Sequence, residues 1–139
     1  MSQLTASIES IESVESLNII TFNCAGQKLK MVSLELNKTV QRGKNVILAC
    51  KPTSVAIAKP TTGTEDFSSI LSYANQIKVK IVSLQVGQLL CSVLLSFGDF
   101  TLESIVSTDA VERLQLNEGD EVIALIKANE LSILEVLDD

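Results

Sequence analysis

The 139-residue chain contains no histidine and no tryptophan. The side chain that most often acts as a general base near neutral pH is therefore absent, and no Ser/Lys or Cys/His pair typical of covalent catalysis is visible. The sequence also has no phosphate-binding glycine loop and no dinucleotide-binding fingerprint. We therefore expect a protein that is not an enzyme.

Positive charge and aromatic side chains are scarce. The formal net charge is −6, aromatic residues make up 4% of the chain, and its arginines are Arg42 and Arg113. Because nucleic acids are bound by basic surfaces and stacking aromatic rings, we expect no nucleic-acid partner. A run of eighteen apolar residues and a secretory leader are also missing, so we expect no membrane segment and a cytoplasmic location.

Cysteine is present at three positions, Cys24, Cys50 and Cys91, with no CxxC spacing. Without histidine or a cysteine pair, we expect no metal held directly by protein ligands. Cys50 and Cys91 lie in apolar, strand-like runs, which predicts small buried thiols in a reducing compartment.

What the chain does contain is an internal repeat. Leu4–Ala58 aligns with Ile77–Leu134 across one gap of three residues. In both copies a lysine follows a glycine by eight positions, as Gly43 to Lys51 and as Gly119 to Lys127. A period of about 75 residues is too long for a solenoid and suits two small tandem domains. We expect domains at 1–60 and 72–139, joined by a linker at 61–71.

Alternation of apolar and polar residues with a period of two dominates both halves and predicts strands. The predicted strands are Thr5–Ser10, Leu17–Asn23, Lys28–Leu34, Asn45–Lys51, Ser54–Ala58, Ile77–Leu84, Leu89–Phe97, Phe100–Val106, Glu121–Lys127 and Glu130–Val136. A short helix is predicted at Asp109–Leu114, where Asp109 and Glu112 have the spacing of a capping box. The pattern indicates an all-β chain of two OB-like, five-stranded Greek-key barrels, each with at most one short helix.

The hydrophobic content is 46% and the mean hydropathy is +0.33, which is high for a chain with so few aromatic residues. A domain of about 65 residues buries only a limited core. We therefore expect part of the apolar surface to lie in contacts between subunits.

Four segments of the second half resemble the Mop domain, a molybdate-binding module also found as the TOBE domain of molybdate transporters and regulators. The segments are Ser72-Tyr-Ala-Asn75, Ser107-Thr-Asp-Ala110, Leu116-Asn-Glu-Gly119-Asp-Glu-Val122 and Ala124-Leu-Ile-Lys127-Ala128-Asn129. The first half is more divergent but keeps Lys51-Pro-Thr53-Ser54. Together the halves look like a free-standing di-Mop protein.

This resemblance implies a homo-oligomer, with a trimer favoured over a dimer, that holds molybdate or tungstate at subunit or domain boundaries. The implied role is storage, homeostasis or delivery of the oxyanion, with no organic cofactor. A tetrahedral dianion only accepts hydrogen bonds, so it needs amides, hydroxyls and ammonium groups around it. The implied oxyanion-binding residues are Lys127, Ala128, Asn129, Ser107, Ser72, Tyr73, Ala74, Asn75, Lys51, Thr53 and Ser54.

The chain also departs from the family pattern. Ala74 stands where the family has arginine, and Ala110 stands where it has a second hydroxyl. Ser107 replaces threonine, Asn129 replaces threonine or serine, and Pro52 removes a backbone N–H. These losses favour an alternative function, a di-Mop regulatory or interaction module with partly decayed oxyanion sites.

Each candidate residue also has a purely structural interpretation. The two strand-end lysines, Lys51 and Lys127, would then be solvated, and Ser107 would cap a helix. Thr53 and Ser54 would be ordinary turn residues.

Overall fold

The computed structural model describes residues 2–60 and 68–137. Most of the linker expected at 61–71 lies outside these ranges. The strands are β1 (Ser2–Val14), β2 (Leu17–Cys24), β3 (Gln27–Ser33), β4 (Asn45–Cys50), β5 (Ala56–Ala58), β6 (Asn75–Val86), β7 (Leu90–Phe97), β8 (Phe100–Ser107), β9 (Glu121–Ile126) and β10 (Ser132–Val136). One α-helix, α1, spans Thr108–Leu114, and 3₁₀ turns cover Pro52–Ser54, Ser68–Ile70 and Ala128–Glu130.

The strands form two five-stranded antiparallel sheets, and each sheet contains four strands from one half of the chain and one strand from the other half. One sheet has the order β10-β4-β1-β2-β3, and the other has the order β5-β9-β6-β7-β8. Thus β10 pairs with β4 of the first half, and β5 pairs with β9 of the second half. The expected all-β fold of two OB-like units is confirmed.

The grouping of the closing strands in the sequence prediction was wrong. The alternation pattern assigned 54–58 to the first unit and 130–136 to the second, whereas the structure exchanges the strands within them. A strand's pattern specifies which face is buried, but it does not specify which neighbouring edge the strand joins. The division of the chain at 1–60 and 72–139 stays a prediction, and the sheets do not follow it.

The long first strand of each half bends at a β-bulge. The register shifts between Ile8 and Ser10 in β1, and between Ile81 and Ser83 in β6. At each bulge a glycine with positive φ closes the turn, Gly43 at 90° and Gly119 at 87°. Each of these glycines donates its N–H to the carbonyl of the isoleucine before the bulge, at 2.8 Å. In β1 the residues up to Ser7 pair with β4 and those from Ser7 onward pair with β2, so the bulge bends the strand near the change of partner.

A single hydrophobic cluster joins the two halves, and it includes all three thiols. Cys24, Cys50 and Cys91 are free and buried, which confirms the expectation for the last two. Burial raises the pKa of Cys24 and of Cys50 to about 11, and burial also raises the pKa of Cys91.

Side-chain amides form hydrogen bonds between the two sheets. Asn75, at the start of β6, is 0% exposed. Its Oδ1 accepts the N–H of Lys30 at 2.6 Å, and its Nδ2 donates to the Lys30 carbonyl at 2.9 Å. Gln27 binds the backbone of Lys78 in the same way, at 2.9 and 3.2 Å. These paired bonds imitate a strand ladder between β3 and β6.

The helix marks the clearest difference between the halves. Helix α1 begins after Ser107, whose hydroxyl accepts the N–H of Ala110 at 3.0 Å. The N-cap is therefore Ser107, and the capping box expected from Asp109 is wrong. The corresponding segment of the first half, 34–44, is three residues shorter and contains turns instead of a helix.

None of the helices within residues 2–60 and 68–137 has the length and apolar character needed to cross a bilayer.

We predict that Asn75→Ala lowers the free energy of unfolding by roughly 2–4 kcal/mol, because it removes a fully buried amide and leaves the part-buried N–H and carbonyl of Lys30 without partners. Chemical denaturation followed by circular dichroism measures the change. The matched control is Gln27→Ala, which removes the more exposed contact with the Lys78 backbone. We expect it to lower the free energy of unfolding by less than about 1 kcal/mol. Equal losses in the two variants would contradict this account.

The raised pKa values predict that the thiols resist alkylation in the folded protein. The thiolate is the reactive form, and a pKa near 11 leaves little thiolate at pH 8. Iodoacetamide at pH 8 should label three thiols in denaturant and none within the same interval without it, as measured by intact mass. Rapid labelling of the native protein would show that these side chains are accessible.

Candidate functional site

Two matching turns carry the lysines that the repeat singles out. The first crossover turn is the 3₁₀ turn Pro52–Ser54, preceded by Lys51, and the second crossover turn is Ala128–Glu130, preceded by Lys127. Both lysines have extended backbone, with φ/ψ of −78°/142° and −69°/149°. In each turn the lysine carbonyl accepts the N–H three residues later, at 2.9 and 3.0 Å. The two turns therefore have the same backbone geometry.

Each crossover turn connects the two sheets. The first lies between β4 of one sheet and β5 of the other, and the second leads from β9 back to β10. The first packs against β8, and the second packs against β3. Ser104 of β8 donates its hydroxyl to the Val55 carbonyl at 2.6 Å, which anchors the end of the first turn.

The two crossover turns also meet each other. Ser54 Oγ donates to Glu130 Oε2 at 2.9 Å, although these residues are 76 positions apart in the chain. Ser54 and Glu130 occupy the same position in the two copies, three residues after the lysine. The contact joins the ends of the two crossover turns.

Both lysines are available to an anion. Lys51 and Lys127 are exposed. Among the residues that the structure describes, ion pairs within 4 Å join Lys28 to Glu9, Lys59 to Asp120 and Arg113 to Asp109, and they involve neither Lys51 nor Lys127. Each strand end therefore presents an ammonium group without a carboxylate partner.

The second crossover turn lies beside the segment Ser72–Asn75. Asn75 opens β6 and pairs with Ile126, the residue before Lys127. Ser72 and Ala74 are exposed, while Tyr73 is half-buried and its carbonyl accepts from Gln76 Nε2 at 2.9 Å. Adjacent strand ends thus bring 72–75 and 127–129 together, as the resemblance implied. The side chain of Asn75 is bound to the backbone of Lys30, so in this structure it serves the fold.

Ser107 lies at the end of β8, whereas the second crossover turn packs against β3. Strand β8 packs against the first crossover turn, and the hydroxyl of Ser107 caps α1. Within one chain the candidate residues therefore form two groups. The first contains Lys51, Thr53, Ser54 and Ser107 on the β8 side, and the second contains 72–75 with 127–129 on the β3 side.

The comparisons with known proteins agree with this description. The TOBE domain family matches residues 71–133, which include the second crossover turn and α1. Molybdenum-pterin-binding proteins 1 and 2 of Clostridium pasteurianum are 40% and 38% identical to this chain over 65 residues. That alignment covers 96% of each relative and 46% of this chain. The chain belongs to the Mop/TOBE family.

The fold of this Mop/TOBE protein, with both halves together, is also found in a solved structure. A crystal structure of the cytoplasmic molybdate-binding protein ModG, with molybdate bound, aligns with a TM-score of 0.82 at 21% identity. The alignment covers 94% of this chain and 93% of that chain. At this level of identity the likeness establishes the fold of both halves together.

Sequence reasoning missed two residues that lie beside the candidate site. Glu130 stands where the first copy has Ser54, and its carboxylate lies at the contact between the turns. Comparing the two copies position by position would have shown this change. Lys30 was missed because its place depends on the pairing of Asn75 with β3, which no local pattern specifies.

The available donors suit an oxyanion better than a metal ion. The described part of the chain contains no group of three or more His, Cys, Asp or Glu side chains placed to hold a metal. The first N–H groups of a helical turn have no partner inside the turn, so Ala128 and Asn129 can offer amides beside the Lys127 ammonium. Pro52 has no such N–H, and the first crossover turn therefore has one donor fewer.

Proposed function

We propose that this protein binds molybdate, or the similar dianion tungstate, for storage, homeostasis or delivery in the cytoplasm. The observation that supports the proposal is the pair of matching crossover turns, each with an exposed and unpaired lysine. The Clostridium relatives are named for molybdenum-pterin binding, and the ModG crystal contains molybdate.

The proposed second site combines three kinds of donor around one dianion. Lys127 contributes the ammonium group, Ala128 and Asn129 contribute backbone amides, and Asn129 also contributes its side-chain amide. A pair of unit charges about 4 Å apart is worth roughly 4 kcal/mol at an effective dielectric of about 20, before desolvation. The backbone of Lys30 is bound to Asn75, and we propose that its exposed side chain supplies a second cation where the family's arginine is replaced by Ala74.

Ser107 and Lys127 fall into different groups within one chain, and we propose that a second copy unites such groups at a subunit boundary. Five of the nine large apolar side chains that are exposed in the described residues flank the β1–β2 and β6–β7 hairpin ends. They are Val14, Leu17, Val86, Leu89 and Leu90. Exposed apolar surface of this kind favours association, and we propose a homo-oligomer, with a trimer favoured over a dimer.

We predict saturable binding of molybdate to the purified full chain near pH 7.5, measured by isothermal calorimetry. Lys127→Ala should weaken the strongest site by about 1.5–3 kcal/mol, or roughly 10- to 150-fold in Kd, because a charge-assisted hydrogen bond is lost. Tungstate should bind in the same range, and sulfate should bind more weakly because its oxygens are more closely spaced.

The control for this experiment is Lys80→Ala, which removes an exposed lysine of β6 outside both groups. It should leave the Kd within twofold of the unmodified protein. Absence of any binding heat at millimolar molybdate would reject the proposed function. Normal binding by Lys127→Ala would reject only the residue assignment.

We further predict that Leu89→Glu combined with Leu90→Glu lowers the oligomeric mass, because the two side chains are 81% and 60% exposed at a hairpin end. Native mass spectrometry of the variant should show monomer where the unmodified chain assembles. Ile70→Glu is the matched control, since this isoleucine is also exposed but belongs to the 3₁₀ turn Ser68–Ile70 and to neither hairpin. A monomeric unmodified protein would exclude sites built across subunits.

The second candidate function is a regulatory or interaction module with decayed sites. It is favoured by the carboxylate of Glu130, which contacts Ser54 between the two crossover turns. A negative charge at this position repels a dianion. This function is also favoured by Ala74 and Ala110, which have no donor side chains. The molybdate titration separates the two functions, since a decayed module gives no saturable heat.

A further inference from the structure

The two halves differ most where the first half has a three-residue deletion. In the second half, α1 and the residues after it bury Val111 and Leu116 against the core. Lys59 closes the adjoining space, since its Nζ lies 3.0 Å from Asp120 Oδ2 and 2.6 Å from the Gln115 carbonyl. The same contact with Lys59 holds the pKa of Asp120 below its ordinary value.

The corresponding space in the first half is open. The segment 34–44 has no helix there, and a cavity of about 800 Å³ lies between it, β3 and β10. In the repeat, Lys44 corresponds to Asp120, because each directly follows the aligned glycine. Glu135 corresponds to Lys59, because each lies eight residues after the aligned lysine. The charges are thus reversed, and no ion pair within 4 Å joins the two in the described residues.

The lining of this cavity indicates what it can hold. Its wall includes the buried side chains of Met31 and Leu131, together with the partly buried side chains of Val40 and Ile133. Lys44 is half-buried and has no side-chain partner among the residues described. The carboxylates at the cavity, Glu35 and Glu135, are exposed, so water screens them more strongly than it screens Lys44.

We propose that this cavity is a second binding site, which takes a small amphipathic organic anion. The apolar body of the ligand lies on the aliphatic wall, and its carboxylate or sulfonate binds the Lys44 ammonium. The volume falls within the range of about 300–1,000 Å³ that is usual for small-molecule sites. This site does not depend on the proposed oxyanion function, although Asn129 borders both.

The test uses 8-anilinonaphthalene-1-sulfonate as the probe, with the full chain and without molybdate. Fluorescence titration should show saturable binding with one site per chain. Lys44→Gln should weaken binding by at least about tenfold, because it removes the charged member of a charge-assisted hydrogen bond. Thr39→Trp, at the exposed rim, should reduce binding by filling the cavity.

Two controls assign the effect to this cavity. Lys80→Gln removes an exposed lysine that lines a different groove and should leave the Kd within twofold. Lys127→Ala should also leave the Kd unchanged, and backbone amide NMR shifts on adding the probe should be confined to 31–44 and 129–136. Binding that is absent, that is unaffected by Lys44→Gln, or that is lost in Lys127→Ala would overturn the proposal.

Discussion

The ladder hydrogen bonds that join β10 to β4 and β5 to β9 hold each half of the chain inside the sheet of the other. Their effect on the functional region is direct, because the two crossover turns are the segments through which the chain passes between sheets. Each turn is therefore fixed at both ends by different sheets. The positions of Lys51 and Lys127 depend on this exchange more than on the turns themselves, which are only three residues long.

The same exchange explains why the halves share a single core. A domain of about 65 residues buries too little apolar surface to be very stable alone. Here Val55 and Leu131, which precede the exchanged strands, are buried in the common cluster. The paired amide contacts of Asn75 and Gln27 add polar bonds at the boundary, so the sheets are joined by both apolar packing and hydrogen bonds.

The two copies keep one backbone and differ in their chemistry. The crossover turns share an extended lysine and the hydrogen bond from the lysine carbonyl that closes the turn, but Pro52 stands opposite Ala128, and Ser54 opposite Glu130. Near the deletion, the charges of Lys44 and Glu135 reverse those of Asp120 and Lys59. Such differences change what each copy can bind while the ladders, which involve only backbone groups, are preserved. They support different ligand preferences in the two halves.

Several features followed from the sequence alone. Alternation predicted the strands because the buried face of a strand is a local property. The segments around 72–75 and 127–129 indicated the family, which the comparisons confirmed. The assignment of individual oxyanion-binding residues stays a prediction.

Only the tertiary structure decided which sheet each closing strand joins, and with it the meeting of Ser54 with Glu130 and the place of Lys30. The physical reason is that a local pattern specifies which face of a strand is buried and not which edge the strand joins, so β5 and β10 could pair with either β4 or β9. The choice depends on contacts between residues at least 65 positions apart. The cavity beside Lys44 is also visible only in the tertiary structure. The deletion in the sequence indicates that a helix is missing, but it does not show the space that is left.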